Sequence, residues 1–147
     1  MCRGARRRTL APVIPPRTPS RLHRVLILGP VPAAREALRW ALESEPDLAV
    51  VGEAAGVEEA LAGAAAFAPD VVLLDVARTD ADAVAVTRAL KAAPNPPAAI
   101  LLAINGDAHA RRRFALAGGD RLVEKGAGWP ALIEAIRGAL ARRAGGA

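Results

Sequence analysis

The stretch Val71-Val72-Leu73-Leu74-Asp75 decides the fold, because it is an unbroken apolar run that ends in a carboxylate. A strand without polar positions has both faces covered, as in a parallel sheet packed between two layers of helices. Four similar runs occur elsewhere in the chain, at residues 25–28, 48–51, 99–103 and 122–124. The pattern therefore predicts an α/β fold with five short, buried strands.

Helix-like segments fill the intervals between these runs. Apolar positions at helical spacing, proline breaks and glycine ends predict helices over residues 33–44, 57–67, 82–92, 107–117 and 130–143. Five such βα units predict a doubly wound, flavodoxin-like parallel sheet with the strand order 2-1-3-4-5. In sheets of this kind, ligand-binding and catalytic residues lie at the carboxyl ends of the strands.

Charge divides the chain into two parts. The net charge is +5, but residues 1–24 hold seven arginines and no acid, which leaves 13 basic against 15 acidic side chains in the rest. We predict a disordered, basic, proline-rich tail over residues 1–23, one globular domain over residues 24–143, and a disordered end over residues 144–147. A basic tail can hold nucleic acid or an anionic membrane weakly, but a solvated leader is the preferred interpretation.

Composition excludes several classes of protein. One cysteine and two histidines allow neither an internal disulfide nor an ordinary structural zinc site. No apolar run is long enough to cross a bilayer, and Leu10–Ile14 is too short for the apolar region of a signal peptide. We therefore expect a cytoplasmic protein without a membrane partner.

Two charged residues stand at the carboxyl ends of predicted strands. Asp75 follows the third strand and Lys125 follows the fifth, two places away in the predicted order. A lysine side chain of about 6 Å can span that gap and pair with the carboxylate. The alternatives are a carboxylate that caps the next turn and a lysine that extends over the sheet edge into water.

Six segments carry a resemblance to a known family: residues 24–28, 35–54, 58–61, 69–76, 117–125 and 132–140. With them, most of the chain resembles the receiver domain of bacterial response regulators, in particular the NarL/FixJ-type subfamily. The resemblance implies that Asp75 accepts a phosphoryl group from a histidine kinase and that Lys125 contacts the phosphoryl oxygens. It also implies an acidic pair that binds Mg²⁺, a hydroxyl after the fourth strand and an aromatic switch in the fifth.

This chain departs from the family's pattern at several of those positions. Gly29 and Pro30 replace the acidic pair, Ala103 replaces the hydroxyl, and Leu122 replaces the aromatic residue. Residues 78–80 replace the usual Met-Pro-Gly turn. Mg²⁺ requires near-octahedral oxygen ligands, so we expect weak or absent Mg²⁺ binding and no other cofactor. Compensation by Asp80 or Asp82 is the less favoured alternative, since acids at a helix start also serve as caps.

We interpret the sequence as a stand-alone pseudo-receiver, not an enzyme, that acts in two-component signalling by protein–protein contact. Its expected partner is a histidine kinase or a separate output protein, and homodimer formation is left open. The candidate partner face consists of Arg111, Arg112, Arg113 and Trp129; a solvated basic face is the simpler interpretation. Trp40 is expected to pack against the domain.

Three further interpretations stay open. One is a working single-domain response regulator that is phosphorylated on Asp75. Another is a flavodoxin-like module that binds a small ligand, although no glycine-rich phosphate loop follows the first strand. The third is a decaying gene fragment. Because the sequence ends at Ala147, without room for a helix-turn-helix reader, no sequence-specific DNA binding is expected.

Overall fold

The computed structural model describes residues 22–75, 80–104 and 106–145, without the side chains of Asp80 and Ala81. The predicted tail over residues 1–23 therefore lies almost wholly outside the described residues. Strands and helices alternate along the described chain: β1 (His23–Leu28), α1 (Pro32–Glu43), β2 (Leu48–Ala54), α2 (Val57–Phe67), β3 (Val71–Asp75), α3 (Asp80–Lys91), β4 (Ala98–Ala103), α4 (Ala108–Leu116), β5 (Arg121–Glu124) and α5 (Trp129–Gly145).

The five strands form one parallel sheet in the order β2-β1-β3-β4-β5. This is the predicted doubly wound arrangement. It puts β3 at the centre, between β1 and β4, and brings the carboxyl ends of all five strands to one edge. The side chain of Asp107 accepts a hydrogen bond from the Ala110 amide, as expected for the cap of α4.

Alternating strand residues supply two hydrophobic cores, one on each face of the sheet. Val71 and Leu73 point into the layer that packs against α1 and α5, together with Leu42 and Ile136. Val72 and Leu74 point into the opposite layer, which α2, α3 and α4 cover. Because both faces are buried, the central strand carries no polar residue before Asp75, which accounts for the unbroken apolar run in the sequence.

Most element boundaries differ from the predicted ones by one to three residues. β1 begins at His23, two residues earlier than predicted, and β2 continues to Ala54, three residues further. The last helix ends at Gly145, so the predicted disordered end at residues 144–147 is wrong for its first two residues. No helix in the described ranges is both long enough and apolar enough to cross a bilayer.

Carboxylates also anchor the opposite, amino-terminal edge of the sheet. Asp70 is 3% exposed, accepts the Arg24 amide at 2.9 Å and pairs with Arg143 on α5 at 3.2 Å. Asp120 accepts from the Lys91 ammonium at 2.8 Å and from the Ala99 amide at 2.7 Å. Lys91 is thus a structural residue, and of the two lysines in the chain only Lys125 lies at the carboxyl edge.

We predict that Thr87→Val raises the free energy of unfolding by about 1 kcal/mol, because Thr87 is fully buried on α3 with no hydrogen-bond partner for its hydroxyl within the described residues. Urea unfolding followed by circular dichroism measures the change. Thr87→Ser keeps the hydroxyl and should not stabilise. A loss of stability in Thr87→Val would show that the hydroxyl has a partner.

Candidate functional site

Asp75 is the last residue of the central strand and is almost completely buried. Its residue exposure is 5%, and its backbone pairs with Leu102 on β4. Its neighbours across the sheet are the ends of β1 and β4, so the carboxylate lies at the edge where doubly wound sheets bind ligands. A carboxylate buried to this degree requires a compensating positive charge or hydrogen bonds.

Lys125 supplies the compensating charge. Its Nζ lies 2.6 Å from Asp75 Oδ1, although β4 separates the two strands that carry these residues. The lysine starts a short 3₁₀ turn after β5, and its side chain remains 38% exposed. Oδ1 itself is buried and accepts no hydrogen bond of good geometry from the described residues. The contact is therefore an ion pair whose cation also reaches water.

Gly29 lies directly beside Asp75, at the position where the family resemblance implies the first acid. A Cβ added to Gly29 would come within 3.2 Å of the Asp75 carbonyl oxygen and 3.3 Å of its Cβ. The following residue, Pro30, is exposed. Neither residue has a side-chain oxygen, so at these positions only backbone carbonyls could face a metal ion.

Arg35 extends from α1 to the end of β1, where Gly29 lies beside Asp75. Its Nη1 donates a hydrogen bond to the Gly29 carbonyl oxygen, and its Nε donates to Glu53 Oε1 at 3.0 Å. Arg39 donates to the other oxygen of Glu53 at 2.7 Å. The hydrogen bond from Arg39, and then that from Arg35, holds the pKa of the Glu53 carboxyl below its ordinary value of 4.5. Glu53 is thus committed to two arginines and does not replace the missing acids.

The described residues around Asp75 do not fit a magnesium ion. Mg²⁺ needs oxygen ligands in near-octahedral geometry, usually with one or two carboxylates held free for it. Asp75 is already paired with Lys125, and Arg35 brings a second cation to the Gly29 carbonyl. Within residues 22–75, 80–104 and 106–145, no group of three or more histidine, cysteine, aspartate or glutamate side chains could hold a metal. Residues 76–79 and the side chain of Asp80 lie outside this description.

The two other substituted positions are also apolar in the structure. Ala103 ends β4, one residue after the partner of Asp75, and has no group that can hydrogen-bond an oxygen. Leu122 packs against the core on the α3–α4 side. A Cβ added to Gly106 would lie only 2.6 Å from the Leu122 side chain, so the β4–α4 loop fits closely over it.

The structure separates the predicted partner face into two parts. Arg111 donates to the Gly106 carbonyl at 3.0 Å and contacts Glu124 at 3.4 Å, which ties α4 to β5. Arg112 is exposed and Arg113 is half-buried. Trp129 lines cavities on the α1 side of α5, whereas the cleft that includes Arg111 does not contain it.

The prediction that Trp40 packs against the domain is wrong. Its residue exposure is 73%, because it stands on the outer side of α1, while Leu38, Ala41 and Leu42 occupy the inner side. Trp40 and Trp129 line the same groove between α1 and α5. The positions one helical turn from Trp40 are exposed as well, so its exposure agrees with the helical period of α1.

A comparison with known proteins decides the family. Residues 25–137 match the family model described as the response regulator receiver domain. The chain belongs to the receiver domain family. A protein-glutamate methylesterase/protein-glutamine glutaminase 2 from Methanospirillum hungatei is 34% identical to this receiver over 104 residues, which cover 71% of this chain and 28% of that protein.

Solved structures give the same answer. A LuxR-family two-component response regulator from Aurantimonas has a TM-score of 0.76 at 25% identity, covering 82% of this chain and 86% of that one. The signal receiver domain of a NarL response regulator from Mycobacterium tuberculosis has a TM-score of 0.72 at 25% identity, covering 85% and 98%. NarL- and LuxR-type receivers are thus among the structures this receiver resembles. It spans under two fifths of the length of the curated relatives it matches.

Sequence reasoning missed the role of Arg35. The signal was present as arginines at positions 35 and 39, four residues apart and therefore on one face of α1. Their common partner, Glu53, lies on β2, and only the structure shows that α1 crosses the ends of β1 and β2 at the height of Gly29.

We predict that Glu53→Gln destabilises the receiver at pH 7 and that the difference from the parent chain shrinks as the pH falls below 4.5. The pKa of Glu53 is lowered in the folded state, so its stabilising contribution is fully present above the unfolded-state value and is lost on acidification. Urea unfolding at a series of pH values from 7 to 3 measures the loss of stability at pH 7 and its decrease on acidification. Glu58→Gln, an exposed residue on α2, is the matched control. A difference that is independent of pH would contradict the assignment.

Proposed function

We propose that this receiver signals by protein–protein contact and does not depend on Mg²⁺-assisted phosphorylation of Asp75. The observation that carries the proposal is the composition of the site. Gly29 and Pro30 bring no carboxylate to the acceptor, and Lys125 already balances the charge of Asp75.

Phosphoryl transfer to Asp75 would need groups that position the phosphoryl donor and neutralise its charge. The protein contributes positioning and charge neutralisation, and a divalent cation supplies most of the second. The loss of the cation, together with the loss of a hydroxyl at Ala103, removes about 4 kcal/mol of stabilisation, or about a thousandfold in rate. A receiver with these residues would therefore be modified far more slowly than one with an intact acidic pair.

The read-out of a phosphoryl group is affected as well. Ala103 has no hydroxyl to bond a phosphoryl oxygen, and Leu122 has no ring that could change position. Arg111 connects α4 to the Gly106 carbonyl and to Glu124 on β5 without any contribution from Asp75. These contacts support a face that is formed irrespective of the state of the acceptor.

The expected partner is a histidine kinase or a separate output protein, the two classes that receivers generally contact. Enzymatic activity, sequence-specific DNA binding and magnesium binding are not part of the proposal. The methylesterase and glutaminase activities in the names of the relatives belong to those longer proteins. The cytoplasmic location and the solvated tail remain predictions, and homodimer formation remains open.

Intact-mass spectrometry of the full chain after incubation with acetyl phosphate and Mg²⁺ tests the proposal. The expected result is no gain of a phosphoryl group, while a receiver with a complete acidic pair, treated in parallel, is modified. A gain that is present in the parent chain and absent in Asp75→Ala would overturn the proposal.

That outcome would support the second candidate, a phosphorylatable single-domain response regulator. One observation favours it: Lys125, which the resemblance implies would contact the phosphoryl oxygens, lies 2.6 Å from the Asp75 carboxylate. The same pairing also neutralises a buried carboxylate in a receiver that is never modified, so it does not by itself distinguish the two candidates.

A further inference from the structure

A cavity of about 380 Å³ opens between α1 and the start of α5, directly beside Asp75. Its floor is apolar and buried, since Leu38, Leu102, Val123 and Leu132 are each less than 9% exposed. Small-molecule sites usually have volumes of about 300–1,000 Å³ and apolar walls with a few polar groups. This cavity has that size and that composition.

The cavity is open because the side chains around its mouth are short. Ala34 and Ala37 face it from α1, one helical turn apart, and Gly128 faces it from the turn before α5. Gly128 has a φ of 92°, a conformation that favours glycine, so this side of the mouth has no side chain. Trp129 stands at the rim with 45% of its surface exposed.

The polar end of the cavity is the Asp75–Lys125 ion pair. The Asp75 side chain keeps 6% of its surface exposed, and an ionised carboxylate can accept several hydrogen bonds. An ammonium group has three donors, and the contact with Asp75 uses one of them. A buried polar end with unused bonding capacity favours a ligand that both donates and accepts a hydrogen bond.

The charges in the lining determine which ligands fit. Asp75 and Glu124 are negative and Lys125 is positive, so an anion would have to compete with Asp75 for the lysine. A neutral amide or hydroxyl group can donate to Asp75 and accept from Lys125 while the ion pair stays intact. An aromatic or aliphatic body would cover the apolar floor and contact the ring of Trp129.

We propose that this cavity binds a small, neutral, mainly apolar molecule that carries one amide or hydroxyl group. The site shares Asp75 and Lys125 with the implied phosphoryl-acceptor site, but binding there needs neither a metal ion nor modification of Asp75. Its existence does not depend on the function proposed above.

Benzamide is the probe that tests this proposal, and benzoate is its matched anion. Each is titrated into isotope-labelled full-length chain, and the amide resonances of residues that line the cavity are followed by NMR. We expect saturable shifts with benzamide at a Kd of about 1 mM, as is usual for so small a ligand. Benzoate should bind at least about tenfold more weakly, because Asp75 and Glu124 disfavour its charge.

Two variants test the location. Ala34→Leu fills the mouth of the cavity and should weaken benzamide binding at least about tenfold, whereas Ala33→Leu, on the exposed side of the same helix, should leave it unchanged. Circular dichroism checks that both fold, and Ala37→Leu replaces Ala34→Leu if that variant does not. The proposal is overturned if benzamide produces no saturable shifts in the parent chain, if benzoate binds as well as benzamide, or if filling the cavity has no effect.

Discussion

Lys125→Met should lower the free energy of unfolding by about 2–3 kcal/mol at pH 7. The substitution keeps the length of the side chain but leaves the carboxylate of Asp75, which is 5% exposed, without a cation. Removal of one partner of a fully buried ion pair costs about 3–5 kcal/mol, and the partial exposure of Lys125 reduces that figure. Urea unfolding monitored by circular dichroism measures the loss.

The reciprocal substitution should be much milder. Asp75→Asn removes the charge that requires compensation, and Lys125 can extend its ammonium into water, so we expect a cost below about 1 kcal/mol. Asp75→Asn combined with Lys125→Met should therefore be more stable than Lys125→Met alone. If the two single variants lost equal stability, or if Lys125→Met lost none, the assignment of Lys125 as the compensating charge would be wrong.

Gly29→Asp combined with Pro30→Asp should raise the affinity of the chain for Mg²⁺ at least about tenfold. The substitution brings two carboxylates to the side of Asp75, and Mg²⁺ sites are built from such oxygens. The space is tight, because the Asp75 carbonyl oxygen and Cβ would lie 3.2 and 3.3 Å from a Cβ at position 29, so the two strand ends must separate by a few tenths of an ångström. Arg35, whose Cγ would lie 3.6 Å from that Cβ, offsets part of the added negative charge.

The control for this variant is Gly29→Asn combined with Pro30→Asn, which has similar size but no added charge. Calorimetric titration of Mg²⁺ should show heat of binding for the double aspartate variant and not for the double asparagine variant. If the aspartate variant gained nothing, the absence of the acidic pair would not be the deciding defect, and the positive charges of Lys125 and Arg35 would be responsible instead.

Much of the fold could be predicted because both faces of the sheet are buried. Strands such as Val71–Asp75 carry an apolar residue at every interior position, and a parallel sheet covered on both sides is the arrangement that most often requires this pattern. The extension of β2 to Ala54 was not predictable in the same way. Gly52 and Glu53 are poor strand formers, and they continue the strand only because it pairs with β1 past an irregularity in register after Val25.

The candidate site was predictable where strand order alone determines proximity. Asp75 and Lys125 both lie at strand ends on the same edge of the sheet, and their pairing follows from the order of those strands and the length of a lysine. The position of Arg35 and the cavity beside Asp75 were not predictable, because they depend on how α1 and α5 cross the strand ends.

Manganese broadening of NMR signals tests most directly whether a divalent cation is held beside Asp75. Mn²⁺ accepts the same oxygen ligands as Mg²⁺, and its unpaired electrons broaden the resonances of nearby amides. We predict no selective broadening of the Gly29, Leu74 and Lys125 amides at millimolar Mn²⁺. Selective broadening of these amides in the parent chain, abolished in Asp75→Asn, would contradict the account.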